Sequence, residues 1–282
     1  MDLPFKTITS RDNATFKNLK SLRQTKKAHA AGLILVEGFR QVEEALAAGI
    51  QPQWLLASPP AQSHERWPVL QSLAETCFAK STFECLLFEP HLFDSLSATP
   101  APQGVAIVAL SPLVSSPEGN PIEQGLYLVL EGIQDPGNMG TMIRTADAFA
   151  FDGVILAGPT VDPFGDKALR SAMGSAFHIP VYQFPSIREA WQWLQSSRIP
   201  LVAADLSGET ITRSTVLNSP AAVAIGNEGS GLSSEALALS DRRLKIAMPG
   251  QAESLNAAVA AAILCHLFSL GRPDSQYRTI ME

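Results

Sequence analysis

Residues 126 to 158 run in the order strand, loop, helix, strand. The apolar run LYLVL at 126 to 130 leads into a polar, glycine-containing loop, a helical stretch from about Gly140 to Ala150 and the apolar run GVILAG at 153 to 158. This β-loop-α-β order favours a parallel sheet with helices packed on it. Further strands are predicted at 201 to 205 (LVAAD), 221 to 226 (AAVAIG) and 244 to 248 (LKIAM), with an Ala-rich helix starting near Ser254.

A separate set of elements precedes residue 111. Asn13 is placed to cap a helix with an apolar stripe of Phe16, Leu19 and Leu22. Strands are predicted at 33 to 36, 54 to 57 and 105 to 108, with a helix from Phe39 that stops at Gly49. Residues 111 to 124 hold three prolines and little apolar periodicity, which is typical of a linker. The predicted organisation is an α/β domain at 1 to 110, a linker at 111 to 124, an α/β domain at 125 to 272 and a tail at 273 to 282.

Charge is unevenly distributed along the chain. The net charge is −6, but the first 30 residues carry seven Lys or Arg against two acids, a net +5, so the rest carries −11. A polyanion would therefore need a local basic surface. An RNA contact and a solvated helix face are equally compatible with this segment.

Composition excludes several classes of protein. The longest apolar run, Ala257 to Cys265, is far shorter than a membrane span of about 20 residues. The N-terminus lacks the basic region followed by an apolar region that is typical of a secretory signal peptide, and no two of the three cysteines form a C-x-x-C motif. We expect a cytoplasmic protein with no membrane segment and no metal.

Three loops follow predicted strands, where open α/β sheets bind their ligands. They are EGIQDPGNMGTMIRTADAF from Glu131, GNEGSGLSSE from Gly226 and PGQAESLN from Pro249. Neither G-x-G-x-x-G nor the P-loop string occurs, which disfavours dinucleotide and ATP binding.

Together these loops resemble the three motifs of the SpoU family of RNA ribose 2′-O-methyltransferases. The resemblance rests on N-x-G-x-x-x-R-T-A from Asn138, IGNEGSGL from Ile225 and IAMPGQAESLNAAVAAAI from Ile246, in the family's order. RSAMGSAFHIPV from Arg170 resembles a stretch between the first two motifs. GLILVEGFRQVEEAL from Gly32 is similar to the family's N-terminal substrate-binding domain.

The resemblance implies an α/β fold with a small L30e-like N-terminal domain and a parallel-sheet, Rossmann-like catalytic domain containing a deep trefoil knot. It also implies S-adenosylmethionine as cofactor and a homodimer whose active site lies at the subunit interface. The implied catalytic residues are Arg144, Asn138, Glu228, Ser254 and Asn256. The implied cofactor-binding residues are Ala204, Gly226, Asn227, Gly229, Ile246, Met248 and Leu255.

The expected substrate is RNA, with ribosomal RNA favoured over transfer RNA. The residues expected to contact its phosphates are Lys17, Lys20, Arg23, Lys26, Lys27 and Arg40. A noncatalytic RNA-binding protein of the same fold is an alternative, although all five polar motif residues are present. A dehydrogenase is a second alternative, which the missing dinucleotide fingerprint disfavours.

Overall fold

The chain divides into two compact units. The computed structural model describes residues 3–22, 31–97, 99–115 and 117–272. The first unit comprises Met1–Pro112 and Phe164–Phe177, and the second comprises Leu113–Pro163 and His178–Glu282. Within the first unit, Gly174 packs so closely on Glu44 that an added Cβ would lie 2.7 Å from Glu44 Cγ. A segment from beyond the predicted linker therefore packs with the N-terminal elements.

The first unit is built on a five-stranded mixed sheet. Its strands are β1 (Phe5–Ile8), β2 (Leu33–Glu37), β3 (Pro52–Ala57), β4 (Glu84–Phe88) and β5 (Val105–Leu110). Its first helices are α1 (Ala14–Leu22), α2 (Phe39–Ala47), α3 (Pro59–Gln62), α4 (Trp67–Lys80) and α5 (Pro90–Leu96). The strand order is β1-β4-β3-β5-β2, with β4 parallel to β1 and β3, and β5 antiparallel to β2 and β3.

Helix α1 forms as its sequence predicts. The Asn13 side chain accepts hydrogen bonds from the N–H groups of Thr15 (2.9 Å) and Phe16 (3.2 Å), which satisfies two donors at the start of the helix. Phe16, Leu19 and Leu22 are all buried in one cluster with residues of the sheet. The predicted cap and apolar stripe are confirmed.

The second unit contains a six-stranded sheet in which all pairings are parallel. Its strands are β6 (Leu126–Glu131), β7 (Gly153–Ala157), β8 (Val181–Phe184), β9 (Leu201–Thr210), β10 (Ala221–Ile225) and β11 (Arg242–Lys245), in the order β11-β9-β10-β6-β7-β8. Its helices are α6 (Pro136–Ala148), α8 (Ile187–Gln195), α9 (Ser234–Leu239) and α10 (Ala257–Ser269). Helix α7 (Asp166–Ala172) and the 3-10 turn Ser175–Phe177 pack with the first unit.

Two helices of the second unit begin elsewhere than expected. Helix α6 begins at Pro136 rather than near Gly140, because Asp135 caps it by accepting the Asn138 N–H at 2.9 Å. Helix α10 begins at Ala257 rather than near Ser254. Its cap is Asn256, whose side-chain oxygen accepts the N–H groups of Ala258 and Val259.

The predicted linker is hydrogen-bonded to the second unit. Val114 forms a parallel bridge with Tyr182, and the backbone oxygens of Gly119 and Pro121 accept bonds from the side chains of Trp193 and Ser197. These contacts extend the sheet edge beyond β8 and fix the chain before β6. The composition of the linker did not predict them.

The small N-terminal unit followed by an all-parallel sheet confirms the predicted fold class, while the trefoil knot stays a prediction. Because all strands of the second sheet are parallel, the loops after β6, β9, β10 and β11 leave from the same edge. Within the described ranges, no helix has the length and apolar content needed to cross a bilayer.

Candidate functional site

A cleft lies in the second unit at the carboxyl edge of its sheet. Its volume is about 330 Å³. Its walls come from the middle of β9, from the ends of β10 and β11 with the loops that follow them, and from the start of α10. The residues that line it are Ala204, Asp205, Leu206, Ile225, Gly226, Asn227, Glu228, Gly229, Ser230, Gly231, Leu232, Leu244, Lys245, Ile246, Met248, Ser254, Leu255, Ala257 and Ala260.

The loop after β10 is folded tightly around the Asn227 side chain. Its Oδ1 accepts hydrogen bonds from the N–H groups of Gly229 (2.9 Å) and Ser230 (3.0 Å), and its Nδ2 donates to Gly132 O at 2.8 Å. The two ends of the loop approach so closely that a Cβ on Gly226 would lie 2.1 Å from the carbonyl carbon of Gly231. Only glycine fits at 226, because the clash would be with backbone that cannot rotate away.

Glu228 joins this loop to the start of α6. Its Oε1 accepts bonds from the Asp135 N–H (3.2 Å) and Asn138 Nδ2 (2.9 Å), and its Oε2 accepts the Gln134 N–H at 3.3 Å. Partial burial raises the pKa of Glu228, but the donated hydrogen bonds outweigh it and the net pKa is below its ordinary value. The carboxylate is therefore held ionised, as the acceptor that closes the two loops together.

Asn138 continues the network to the third loop. While its Nδ2 donates to Glu228, its Oδ1 accepts a hydrogen bond from Asn256 Nδ2 at 3.1 Å. Asn256 also caps α10 through its own Oδ1. The structure thus joins Asn138, Glu228 and Asn256, three of the five predicted catalytic residues, in one chain of hydrogen bonds.

The side chains of the other two predicted catalytic residues have no polar partner among the described residues. Ser254 is exposed and lines the cleft, and Arg144 is exposed on α6. Among the described residues, neither side chain makes a hydrogen bond or an ion pair. Arg144 lies six residues after Asn138, about 9 Å further along the helix axis at 1.5 Å per residue, and does not line the cleft. These two polar groups are free to meet a ligand.

All seven residues predicted to contact the cofactor line this one cleft. Two charged residues of the lining, Asp205 and Lys245, were not predicted. Asp205 is the last residue of the predicted strand LVAAD, and Lys245 is the second residue of the predicted strand LKIAM. A single charge within or at the end of an apolar run does not by itself indicate a site.

A further unpredicted contact anchors the loop after β10. Glu131, the last residue of β6, accepts bonds from the N–H and hydroxyl of Ser233 at 2.8 and 2.7 Å. The Ser233 hydroxyl in turn accepts the Ala236 N–H at 3.0 Å and so caps α9. The glycine-rich loop is therefore fixed at both ends, by Asn227 and by Ser233.

Three of the predicted RNA-contacting residues lie on helices α1 and α2 of the first unit. Lys17, Lys20 and Arg40 are exposed. Lys17 forms an ion pair with Asp12 at 2.9 Å, and the Lys20 ammonium lies 5.9 Å from the centre of the Phe16 ring. An ion pair this exposed contributes little stability, so a phosphate can replace Asp12. The remaining predicted residues, Arg23, Lys26 and Lys27, lie outside the described residues.

Two family models match the chain. The SpoU rRNA Methylase family matches residues 125–266, and the MRM3-like substrate binding domain matches residues 13–107. The first match contains the whole cleft and the hydrogen-bond network. The second covers most of the mixed sheet of the first unit.

Relatives and solved structures agree with these matches. The chain is 35% identical over 264 residues to 23S rRNA (guanosine(2553)-2'-O)-methyltransferase RlmP of Bacillus subtilis, covering 93% of this chain and 98% of that one. It is 32% identical over 266 residues to the 23S rRNA (uridine(2479)-2'-O)-methyltransferase of Streptomyces viridochromogenes, covering 92% and 90%. The AdoMet-bound rRNA methyltransferase of Sinorhizobium meliloti superposes with a TM-score of 0.80 at 29% identity, covering 93% and 96%. The chain therefore belongs to the SpoU rRNA methylase family and is an S-adenosylmethionine-dependent RNA 2′-O-methyltransferase.

Proposed function

We propose that the substrate is large-subunit ribosomal RNA. The observation that carries this proposal is that the relatives from Bacillus subtilis and Streptomyces viridochromogenes, both aligned over at least nine-tenths of this chain, are 23S rRNA enzymes. The alignments include the N-terminal unit, whose family model is a substrate-binding domain. Transfer RNA enzymes share the catalytic motifs, so the choice of RNA rests on that unit.

Mapping of 2′-O-methyl groups tests this choice. Ribosomal and transfer RNA are isolated from strains with and without the gene, and the modified positions are compared. We expect one position in large-subunit rRNA to lose its methyl group, and to regain it when the purified protein and S-adenosylmethionine are added. Loss confined to transfer RNA would contradict the proposal.

The cleft fits S-adenosylmethionine. Its wall offers apolar side chains such as Ile246 and Leu255 for an adenosine, and exposed backbone of the loop at 226 to 231 for polar groups. We assign cofactor binding to Ala204, Gly226, Asn227, Gly229, Ile246, Met248 and Leu255. When bound, the cofactor supplies the methyl group on a sulfonium, and the protein must place the ribose hydroxyl and assist loss of its proton.

A pair of glycine variants tests the cofactor site. Gly226→Ala forces the loop apart at its closest approach, so we expect at least a tenfold loss of affinity for S-adenosylhomocysteine in calorimetry. Gly250→Ala is the matched control, because a Cβ at Gly250 meets nothing within 4 Å. Equal affinities in both variants would place the cofactor elsewhere.

The five catalytic residues have two kinds of role. The side chains of Asn138, Glu228 and Asn256 are hydrogen-bonded to one another and hold the three loops in register. Ser254 and Arg144 have free polar groups and face the substrate. Because a guanidinium stays protonated in proteins, Arg144 acts by orienting the ribose hydroxyl and an adjacent phosphate.

A homodimer explains why Arg144 is remote from the cleft of its own chain. The side chain is exposed and unpaired within the described residues, as expected if it serves the cleft of a second copy. Helix α10, which packs against α6, exposes Val259 (47%), and its C-terminal cap residue Leu270 is also exposed (59%). Such apolar side chains suit a subunit interface.

Mixing two inactive variants tests a shared site. If Arg144 acts on the partner's cleft, heterodimers of Arg144→Ala and Gly226→Ala contain one intact site, and co-refolding the two should restore part of the activity. Sedimentation establishes whether the protein is a dimer at the assay concentration. A dimer in which co-refolding restores no activity would place each Arg144 in its own chain's site.

Charge substitution tests the N-terminal RNA contacts. Deleting residues 1 to 30 would remove the buried side chains of α1 and the strand β1, and so would damage the fold. Replacing Lys17 and Lys20 by Gln keeps the helix and should weaken RNA binding and its salt dependence, while cofactor affinity stays the same. Unchanged RNA affinity would mean that Lys17 and Lys20 on α1 contact solvent and not RNA.

A further inference from the structure

Strand β11 forms one edge of the parallel sheet and is basic. Its sequence is Arg242-Arg243-Leu244-Lys245, and only Leu244 is buried. The order β11-β9-β10 places this edge two strand spacings from β10, about 10 Å away at 4.8 Å per strand. The edge therefore lies beside the loop after β10, and Lys245 itself lines the cleft.

The chain after β9 brings a fourth cation to this edge. The Ile211 N–H donates to Lys245 O at 2.8 Å, and Arg242 donates to Val216 O at 3.1 Å. Residues 211 to 216 thus turn back alongside β11 and carry Arg213 at the tip of a turn held by hydrogen bonds of Thr212 with Ser214 and Thr215. We call Arg213, Arg242, Arg243 and Lys245 the basic edge.

Among the described residues, three of the four charges of the basic edge have no acidic partner. Arg242 pairs with Glu209 at 3.2 Å. Within the same residues, Arg243 donates only to the backbone oxygen of Leu237. Across the parts of the chain that the structure describes, neither Arg213 nor Lys245 makes an ion pair or a side-chain hydrogen bond.

We propose that the basic edge binds phosphates of the RNA substrate and holds the strand next to the cleft. The inference rests on the proposed function only in that the substrate is RNA. Three cations without an ion-pair partner among the described residues lie here, on a chain whose residues 31 to 282 carry a net −11. A polyanion that reaches an acidic body must be met by such a local concentration of positive charge.

Protection of the sheet edge is the competing explanation. Charged side chains on an edge strand prevent pairing with another chain. That role requires charges on β11 but not on the turn beyond it, where Arg213 is exposed and has no strand to protect. The position of Arg213 on the turn that runs alongside β11 is explained by an anion that passes both β11 and the turn.

Charge reversal with a matched control tests the proposal. The test variant is Arg213→Glu/Arg243→Glu, and Arg213→Glu alone removes no contact of the folded chain. The control is Arg198→Glu. Arg198 is an exposed arginine of the same unit that precedes β9, so it lies at the amino-terminal end of the strands, whereas the cleft lies at their carboxyl end. The probe is a labelled oligouridylate, with affinity measured as a function of salt and S-adenosylhomocysteine affinity measured in parallel.

We expect the double variant to lose about 1.4 from the slope of log affinity against log salt, at about 0.7 for each phosphate contact to a single strand. Arg213→Glu should lose about half of that, and cofactor affinity should stay at the parent value in all variants. Equal slopes in parent and double variant, or the same loss in Arg198→Glu, would overturn the proposal. A parent that does not bind the oligouridylate would also overturn the proposal, whereas the proposed function is judged separately by the mapping of 2′-O-methyl groups.

Discussion

Glu228→Gln tests whether this carboxylate orders the loops or takes part in proton transfer. Gln keeps the size of the side chain and one acceptor oxygen, which can retain the bonds from Asp135 N–H and Asn138 Nδ2. Its amide group, however, would face the Gln134 N–H, where Oε2 now accepts. One bond is lost, and the other two lose the contribution of the negative charge.

The expected size of the effect follows from these three bonds. A hydrogen bond contributes about 0.5 to 1.5 kcal/mol, and the bonds at this exposed site belong at the low end of that range. The free energy that favours the ordered loops should therefore fall by about 1 to 2 kcal/mol in the variant. That corresponds to a fall of roughly 5- to 30-fold in the ratio of ordered to disordered loops, which sets the largest expected fall in kcat/KM. Transfer of labelled methyl groups to unmodified ribosomal RNA measures it, and Glu253→Gln, in the exposed loop before α10, is the matched control.

Two results would refute the reasoning. A loss in the range of about 10²- to 10⁴-fold typical of a proton-transfer group would show that Glu228 acts in the chemistry. A rate equal to that of the control would show that the loops do not need this carboxylate.

The pH dependence supplies a separate check on Glu228. Its folded-state pKa lies below the ordinary 4.5, so its contribution to stability is fully present above pH 4.5 and is lost as the pH falls through the folded-state pKa. The difference in free energy of unfolding between parent and Glu228→Gln should therefore be constant near neutral pH and shrink in acid. If this difference in the free energy of unfolding grew below pH 4.5, the hydrogen bonds would not favour the ionised form of Glu228.

Three further predictions concern single side chains. Arg144→Ala should lower the methyl-transfer rate by about 10²- to 10⁴-fold while the calorimetric affinity for S-adenosylmethionine stays within twofold, and a rate within threefold of the parent would show that Arg144 is not needed. Ser233→Ala removes the cap of α9 and the hydroxyl's bond to Glu131, so urea denaturation should show a loss of about 1 kcal/mol, and an unchanged midpoint would contradict the capping role. Burial raises the pKa of the Cys265 thiol to about 12, so iodoacetamide should label Cys265 at pH 8 only after unfolding, and labelling of the native protein would show that α10 opens.

Local patterns in the sequence predicted much of the fold. Strands β6, β7 and β10 come from short apolar runs bounded by polar turns, and each forms within a residue of its predicted bounds. The cap at Asn13 is a contact between neighbours in sequence and needs no tertiary information. The order strand, loop, helix, strand was sufficient for a parallel sheet, since the crossover helix requires it.

The bounds of the functional loops were less predictable. Helix α6 starts four residues early because Pro136 follows a capping Asp135, and α10 starts later than the expected position near Ser254 because Asn256 is its cap. In both places several residues nearby could cap a helix. The choice between them was made by contacts with other loops: Asn256 caps α10 while it also donates to Asn138.

The sequence by itself determined which polar residues occupy the three loops, and the resemblance they carry identified the family. Only the tertiary structure decided how they divide the work. The bonds from Asn138 to Glu228 and from Asn256 to Asn138 join residues 90 and 118 positions apart, which no local pattern specifies. The packing of Phe164–Phe177 with the first unit and the return of residues 211 to 216 along β11 are also non-local. They depend on which surfaces meet when the sheets assemble. In the same way, the candidate catalytic residues Arg144 and Ser254 are seen to have free side chains among the described residues only once Asn138, Glu228 and Asn256 are seen to be paired.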